Sequence, residues 1–443
     1  MAGYPDTAQV QQGVSTEYGP LQVCAFVPPG PEHDYMVPAH LEPVVRSAAN
    51  WWANPDYLLF DDLVLLPQLR AEHAELQAVL AAATGPAGAV DLRQWLREVL
   101  ANRAVAEQVI AEVIELEAQR GPLPIASSEA TARLADLGSE DLLAALLSGV
   151  CPQTEQQLLR TPAPNLLFAR DLLASIGSAV ALGWPQMPAR WRDGVLARAL
   201  AYHHPALRDR PTLNVRSHHP QACLEGGDVL VVADDLVLVG VGERTNLAGA
   251  FGLYAALQQQ GRVRVLAVHL PPQRAMMHLD TVFTFVDRGL VVAYEPVFQD
   301  KSAADTRVDI RDLQDPERSL GSNLAQVLGE YGHPTEVLPC GGGLPRHADR
   351  EQWSDGANAL CLGPGQVILY GRNTHTLRTL NAAGFEILTP QQYVANAVLY
   401  QRRGDRLVVA LTGSELSRGR GGPRCLTLPL HRAPPRPAAT CAA

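Results

Sequence analysis

Short apolar runs alternate with stretches of helical spacing along this chain, and the order of the two recurs. In "DDLVLVGVGERTNLAGAFGLYAALQQQGRVRVLAV" an apolar strand, Leu236 to Val239, leads into a polar turn suited to helix capping. A helix to about Gln260 follows, with Gly261 as its stop and a second strand beyond. "GPGQVILYGRNTHTLRTLNAAGFEIL" repeats the order, with a strand Gln366 to Tyr370, Asn373 or Thr374 as cap, a helix to about Ala383, Gly384 and a strand. "NLLFARDLLASIGSAVALGWPQMPARWRDGVLARAL" again places strands before a helix. Near the N-terminus "LQVCAFVPP" reads as a strand and "LLPQLRAEHAELQAVLAAA" as a helix. A strand and helix unit repeated over most of the chain predicts an α/β protein arranged radially, or as a solenoid, around one shared core.

Two hairpins punctuate the repeat. "GDVLVVADDLVLVG" has apolar runs on either side of Ala233, Asp234 and Asp235, and "TVFTFVDRGLVVAYEP" on either side of Asp287, Arg288 and Gly289. Residues 93 to about 160 depart from the pattern. Val105, Val109 and Val113 recur at helical spacing beside Ile110 and Ile114, and "SEDLLAALLSG" opens on Ser139 as cap and stops at Gly149. This stretch reads as a helical insertion. The last residues, 431–443, are rich in proline and alanine and are expected to be disordered.

Composition narrows the partners. With 36 basic and 46 acidic residues the net charge is −10, which argues against general attraction to nucleic-acid phosphates or anionic membranes. The 7 cysteines are scattered without a CxxC pair, and no leader pattern opens the chain, so reduced thiols in the cytoplasm are the expectation. No apolar run reaches the roughly 18 residues of a membrane helix, and a soluble protein is expected.

Five short stretches place ionisable residues at strand ends or tight turns: "NLLFARD" with Asp171, "LEGGD" with Glu225, "GVGERTN" with Arg244, "MMHLDTVF" with His278 and Asp280, and "RGRGGPRC" with Arg420 and Cys425. Each has a plain structural reading. Asp171 could cap a turn, Glu225 could be a solvated residue at a glycine bend, and Asn246 in ERTN could cap a helix that leaves Arg244 on the surface. Alternation along an extended chain would put His278 and Asp280 on one face, a spacing that also suits a metal pair. No second matched cluster accompanies it, so no metal is expected. A lone Cys425 is most often a small buried hydrophobe.

Together the motifs FxRD, EGGD, GERT, HLDxVF and RGRGGxxC, in this order, resemble the arginine deiminases of the guanidino-group-modifying superfamily. "GVSTEYGPL", "LLFDD" and "EQWSDGANALCLGPGQVILYGRNTHT" extend the likeness over about residues 13 to 430. The resemblance implies one catalytic domain over 1–443. Its fold would be a five-bladed, pseudo-symmetric α/β propeller of repeated ββαβ-type units, with 93–160 as the helical insertion. It implies Cys425 as nucleophile, His278 and Glu225 as the proton-handling pair, and Asp171 and Asp280 as clamps on the guanidinium. Arg244, Arg190 in "MPARWRD", Arg420 and Asn165 would face the substrate's α-carboxylate or shape the nearby loop. No cofactor is implied, and the oligomeric state stays open, with a homo-oligomer allowed.

The chemistry fits those residue types. A guanidinium is planar and resonance-stabilised, so two carboxylates are needed to orient it. A thiolate divides its hydrolysis into two easier steps, and a histidine beside a glutamate can protonate the departing ammonia and then activate water. Clustered carboxylates raise a thiol pKa and a bound guanidinium lowers it, so binding is expected to promote the thiolate. Cationic residues at the far end favour free L-arginine over an amine-terminated guanidine. The alternatives are an amidinotransferase, a deiminase for another guanidino compound, a non-catalytic arginine sensor and an RNA-binding loop. Ala169 stands where the family commonly has threonine, Leu172 where it has proline and Leu426 where it has methionine; none of these removes a reacting group.

Overall fold

The computed structural model describes residues 13–46, 50–261, 263–299 and 306–435. Five small mixed sheets carry the architecture, and each has the same plan: a central strand with an antiparallel neighbour on one side and a parallel neighbour on the other. Ala179–Leu182 lies between Ala174–Ile176 and Thr212–Asn214. Leu236–Val241 lies between Val229–Ala233 and Arg264–His269, with Asp309–Asp312 added at the edge. Leu290–Ala293 lies between Phe283–Asp287 and Glu336–Pro339. Gln366–Tyr370 lies between Leu360–Gly363 and Leu407–Leu411, with Glu386–Leu388 beyond. The remaining sheet joins the two ends of the chain, since Leu21–Phe26 pairs antiparallel with Thr427–Arg432 and parallel with Ala89–Asp91. A small separate hairpin pairs Val44–Arg46 with Trp51–Ala53.

The local reasons for this plan lie in the sequence. Antiparallel pairs can be closed by a tight turn, whereas a parallel neighbour needs a crossover, usually a helix. Gly289 adopts φ 62 in the turn between Phe283–Asp287 and Leu290–Ala293, a conformation open to residues without a Cβ. The crossover helix Leu247–Gln260 begins where Asn246 Oδ1 accepts the amide of Gly249 at 2.8 Å and ends at Gly261. Strands such as "VLVVA" and "LVLVGV" are buried nearly throughout, because helices and neighbouring sheets cover both faces.

Helices Leu92–Leu100, Arg103–Arg120, Ser127–Ala135 and Ser139–Ser148 form one layer. Val105, Val109, Ile110, Val113 and Ile114 are all buried in its core. Two caps differ from expectation. Ser139 is the first helical residue after Gly138, which makes no side-chain cap. Asn373 precedes Thr374–Ala382 but gives its side chain to Ser354 (Nδ2 to the Ser354 carbonyl, 2.9 Å), and the Glu351 carboxylate accepts the amides of His375 and Thr376 at 2.8 and 2.7 Å instead. The C-terminal strand includes His431 and Arg432 of the expected tail, whose residues 436–443 lie outside the described residues. No described helix is long and apolar enough to cross a membrane.

Candidate active site

Each sheet is entered through a short turn that carries a candidate side chain. The 3-10 turn Ala169–Asp171 precedes Ala174–Ile176, and Glu225 opens the turn Gly226–Asp228 ahead of Val229. His278 precedes the turn Leu279–Thr281 and Asp280 lies within it, ahead of Phe283. Asn358 precedes the strand that opens at Leu360, and Cys425 the strand that opens at Thr427. Strand side chains are committed to the sheet faces, so a turn just before the strand is where a residue can be aimed off its end. The expectation that His278 and Asp280 share one face of an extended chain fails for this reason. His278 is extended, but the 3-10 turn swings Asp280 elsewhere.

His278 faces two carboxylates. Its Nε2 donates to Glu225 Oε2 at 2.9 Å, and its Nδ1 lies 3.8 Å from Asp171 Oδ1. Burial alone would lower the imidazole pKa, but Asp171, Glu225 and Asp228 outweigh it and raise it to about 9, so the ring is an imidazolium at neutral pH. The same arrangement overcomes the opposite effect of burial on Glu225, where Arg190, His278 and Arg244 bring its pKa down to about 2. Arg190 is fully surrounded. Its Nη1 donates to Asp171 Oδ2 and, at 3.3 Å, to Glu225 Oε2; Nε donates to Asp193 at 3.0 Å and Nη2 to the Asn165 carbonyl at 3.1 Å. A guanidinium has five N–H groups, so Arg190 retains about one for any further ligand. Asp171, Glu225 and His278 also place donor atoms within 4.8 Å of one another, a spacing a metal ion could use. In this structure Arg190 and the imidazolium already balance the two carboxylates.

Cys425 lies against Asp280, with Sγ 3.8 Å from each carboxylate oxygen. Burial, then Asp280, Asp171 and Asp355, push the thiol pKa well above its ordinary value, so the group is neutral before a ligand arrives. Asp280 Oδ2 accepts from Arg424 Nη1 at 2.6 Å. Asn358 joins the two loops, its Oδ1 accepting the amides of Arg424 and Cys425 at 3.0 and 3.1 Å and its Nδ2 donating to the Asp280 carbonyl at 3.0 Å.

One cavity gathers these groups, lined by Asn165, Asp171, Arg190, Arg244, His278, Arg420 and Cys425, with Glu225 and Asp280 in contact behind His278 and Cys425. Its volume is about 10 Å³, room for about one water, so admitting a larger guest requires part of the wall to move. Arg244 Nη1 approaches Glu225 at 3.6 Å, and Asn165 Nδ2 donates to the Leu58 carbonyl at 2.7 Å. Arg420 adopts φ 60 and stacks its guanidinium 3.8 Å from the Trp353 ring centroid. Its Nε and Nη1 make no hydrogen bond, and neither do the acceptors Asp171 Oδ1 and Glu225 Oε1. A buried polar atom without a partner is costly. At the cavity, Asp171 Oδ1 and Arg420 Nε and Nη1 lack hydrogen bonds, although Asp171 Oδ1 lies 3.8 Å from His278 Nδ1 and Arg420 Nε 3.8 Å from Asp61 Oδ2. Such atoms suit a ligand that is cationic at one end and anionic at the other.

Sequence reasoning named nine residues here and passed over Arg424, Asn358 and Asp355. All three sit inside quoted motifs, "GGPRC" and "SDGANALCLG". Their signal was positional: Asn358 stands before its strand as Glu225 and Cys425 stand before theirs.

Fold and site together define an α/β protein in which a buried thiol, an imidazolium, carboxylates and arginines meet at one small cavity. A sequence model described as arginine deiminase matches residues 56–432. The chain is 30% identical over 445 residues to the arginine deiminase of Listeria monocytogenes serotype 4a (strain HCC23), covering 95% of this chain and 97% of that one. It is 29% identical over 444 residues to the arginine deiminase of Staphylococcus haemolyticus (strain JCSC1435), covering 95% and 98%. The chain belongs to the arginine deiminase family. Solved structures similar to it include an amidinotransferase from Microseira wollei (TM-score 0.48, 12% identity, 96% of this chain and 98% of that one) and the DDAH of Pseudomonas aeruginosa (TM-score 0.44, 13% identity, 92% and 99%).

Proposed function

We propose that the protein hydrolyses L-arginine to L-citrulline and ammonia through a covalent adduct on Cys425. The observation that carries this reading is the pattern of unpartnered atoms. Asp171 Oδ1, 3.8 Å from His278 Nδ1, makes no hydrogen bond and can accept a guanidinium N–H. Arg420 Nε and Nη1, the former 3.8 Å from Asp61 Oδ2, make none and can donate to a carboxylate at the same cavity. The guanidinium is held by Asp171 and Asp280, which brings its central carbon to the thiol. Its charge offsets the carboxylates that hold the thiol neutral, so the thiolate forms in the complex. Sulfur attacks the guanidinium carbon, and His278, protonated beside Glu225, gives a proton to the departing nitrogen, which leaves as ammonia. The neutral imidazole then takes a proton from water as it attacks the thiouronium carbon, and the C–S bond breaks to release citrulline. Arg420, Arg244 and the remaining donor of Arg190, with Asn165 beside them, serve the α-carboxylate.

The five sheets, alike in plan and each entered through a turn bearing a site residue, support a five-bladed pseudo-symmetric propeller with its site at one end. Purified protein incubated with L-arginine is expected to yield equimolar citrulline and ammonia, and Cys425→Ser none. Arginine binding without citrulline would replace this reading with a sensor; a product formed only with an added amine would replace it with an amidinotransferase.

A further inference from the structure

Arg424, directly before the thiol, is among the largest fully buried side chains of the molecule. Its guanidinium is held on three sides. Nη1 donates to Asp280 Oδ2 at 2.6 Å, Nε to Glu17 Oε2 at 3.2 Å and Nη2 to the Val229 carbonyl at 2.8 Å. Glu17 is fixed in turn, its other oxygen accepting the Val231 amide at 3.1 Å. Among the described residues Arg424 is the one cation paired with Asp280, whose carboxylate is fully buried. A buried cation is worth its desolvation only where its partners are well placed, and here the partner is a clamp on the reacting group.

We infer that Arg424 is a positioning residue: by occupying Oδ2 it fixes the Asp280 carboxylate so that Oδ1 faces the bound guanidinium, and Glu17 holds Arg424 in that pose. This rests on the reading that Asp280 binds the guanidinium. A planar fork sets an orientation that a point charge does not, so the contribution belongs to geometry as well as charge.

The test is a KM-against-kcat split with rescue. Arg424→Met is expected to raise KM for L-arginine by roughly 10- to 100-fold, the scale of a lost charge-assisted hydrogen bond. Arg424→Lys should recover part of that loss, and Glu17→Gln should raise KM by a few-fold (about 3 to 10). A role confined to folding would instead lower the active fraction and leave KM unchanged. A parental KM in soluble Arg424→Met overturns the inference, as does a lysine variant no better than the methionine one. Should Arg424→Met aggregate, a parental KM in both Arg424→Lys and Glu17→Gln overturns it. A parent protein that makes no citrulline overturns the functional reading; an active parent with unmoved KM in these variants overturns this inference alone.

Discussion

Two arginine–carboxylate pairs flank Cys425, and they differ in what they leave open. On one side Arg190 meets Asp171 and Glu225, yet Asp171 Oδ1 and Glu225 Oε1 keep no hydrogen-bond partner. On the other side Arg424 meets Asp280 and Glu17, where both Glu17 oxygens and Asp280 Oδ2 accept N–H groups and both Asp280 oxygens lie 3.8 Å from the thiol sulfur. The first wall contains the pair proposed to handle protons, with His278 held at about 9 and Glu225 at about 2. The second is tied into the backbone by Asn358. The contrast teaches that, on the proposed reading, both walls offer a carboxylate to the guanidinium, while only the first also carries the imidazolium and only the second is tied to the backbone beside Cys425.

The contrast can be broken most severely at its centre. Cys425→Ala should remove citrulline formation by at least about 10⁴-fold while leaving the thermal midpoint within a few degrees; substantial residual turnover in an anion-exchange assay of citrulline would remove Cys425 from the mechanism.

On the first wall, Glu225→Gln should lower kcat by roughly 10²- to 10³-fold and move the alkaline limb of the rate profile. The sign follows from His278. Its pKa of about 9 is held up partly by Glu225, so the acid form persists below about 9 and is lost above it. Removing that anion must bring the limb to lower pH, and a limb that rises in stopped-assay profiles would contradict the assignment of His278.

Geometry on the second wall can be loosened without touching a charge. A Cβ at Gly421 would lie 2.4 Å from Phe168 Cε1 and 3.1 Å from Cys425 Cβ, so Gly421→Ala must shift the loop that presents the thiol. A kcat/KM loss of about 10- to 100-fold is expected, and steady-state kinetics that match the parent would show the loop to be tolerant.

The smallest effect on turnover is expected away from both walls. Buried Glu117 accepts from Arg192 Nη2 at 2.6 Å and Arg120 Nη1 at 3.0 Å, joining the helical layer to the rest. Glu117→Gln leaves those cations poorly paired and should cost about 3 kcal/mol of stability in urea titration, with KM unchanged. A shift in KM would couple this layer to the site.

Much of the architecture was legible beforehand because strand and helix signals are local. The strand Gln366–Tyr370 and the helix ending at Gln260 stand where apolar spacing and the stop at Gly261 put them. The caps were less legible. Gly138 rather than Ser139 precedes its helix, and Glu351 caps a helix from a distant element, which no local pattern could show. Cysteine chemistry was equally hidden. Burial raises Cys24 to about 11 and Cys340 and Cys361 to about 12, as it raises Cys425. What separates Cys425 is its place on the cavity.

The sequence by itself determined the strand and helix repeat and, through five motifs in order, the family. Only the tertiary structure decided which carboxylate oxygens accept hydrogen bonds and which do not, that Arg190 directs most of its donors inside the site, and that Arg424 and Asn358 hold the groups beside Cys425. The physical reason is range. Apolar periodicity and turn chemistry act over a few residues, whereas a buried charge is fixed by whatever distant groups the packed sheets bring within hydrogen-bonding reach.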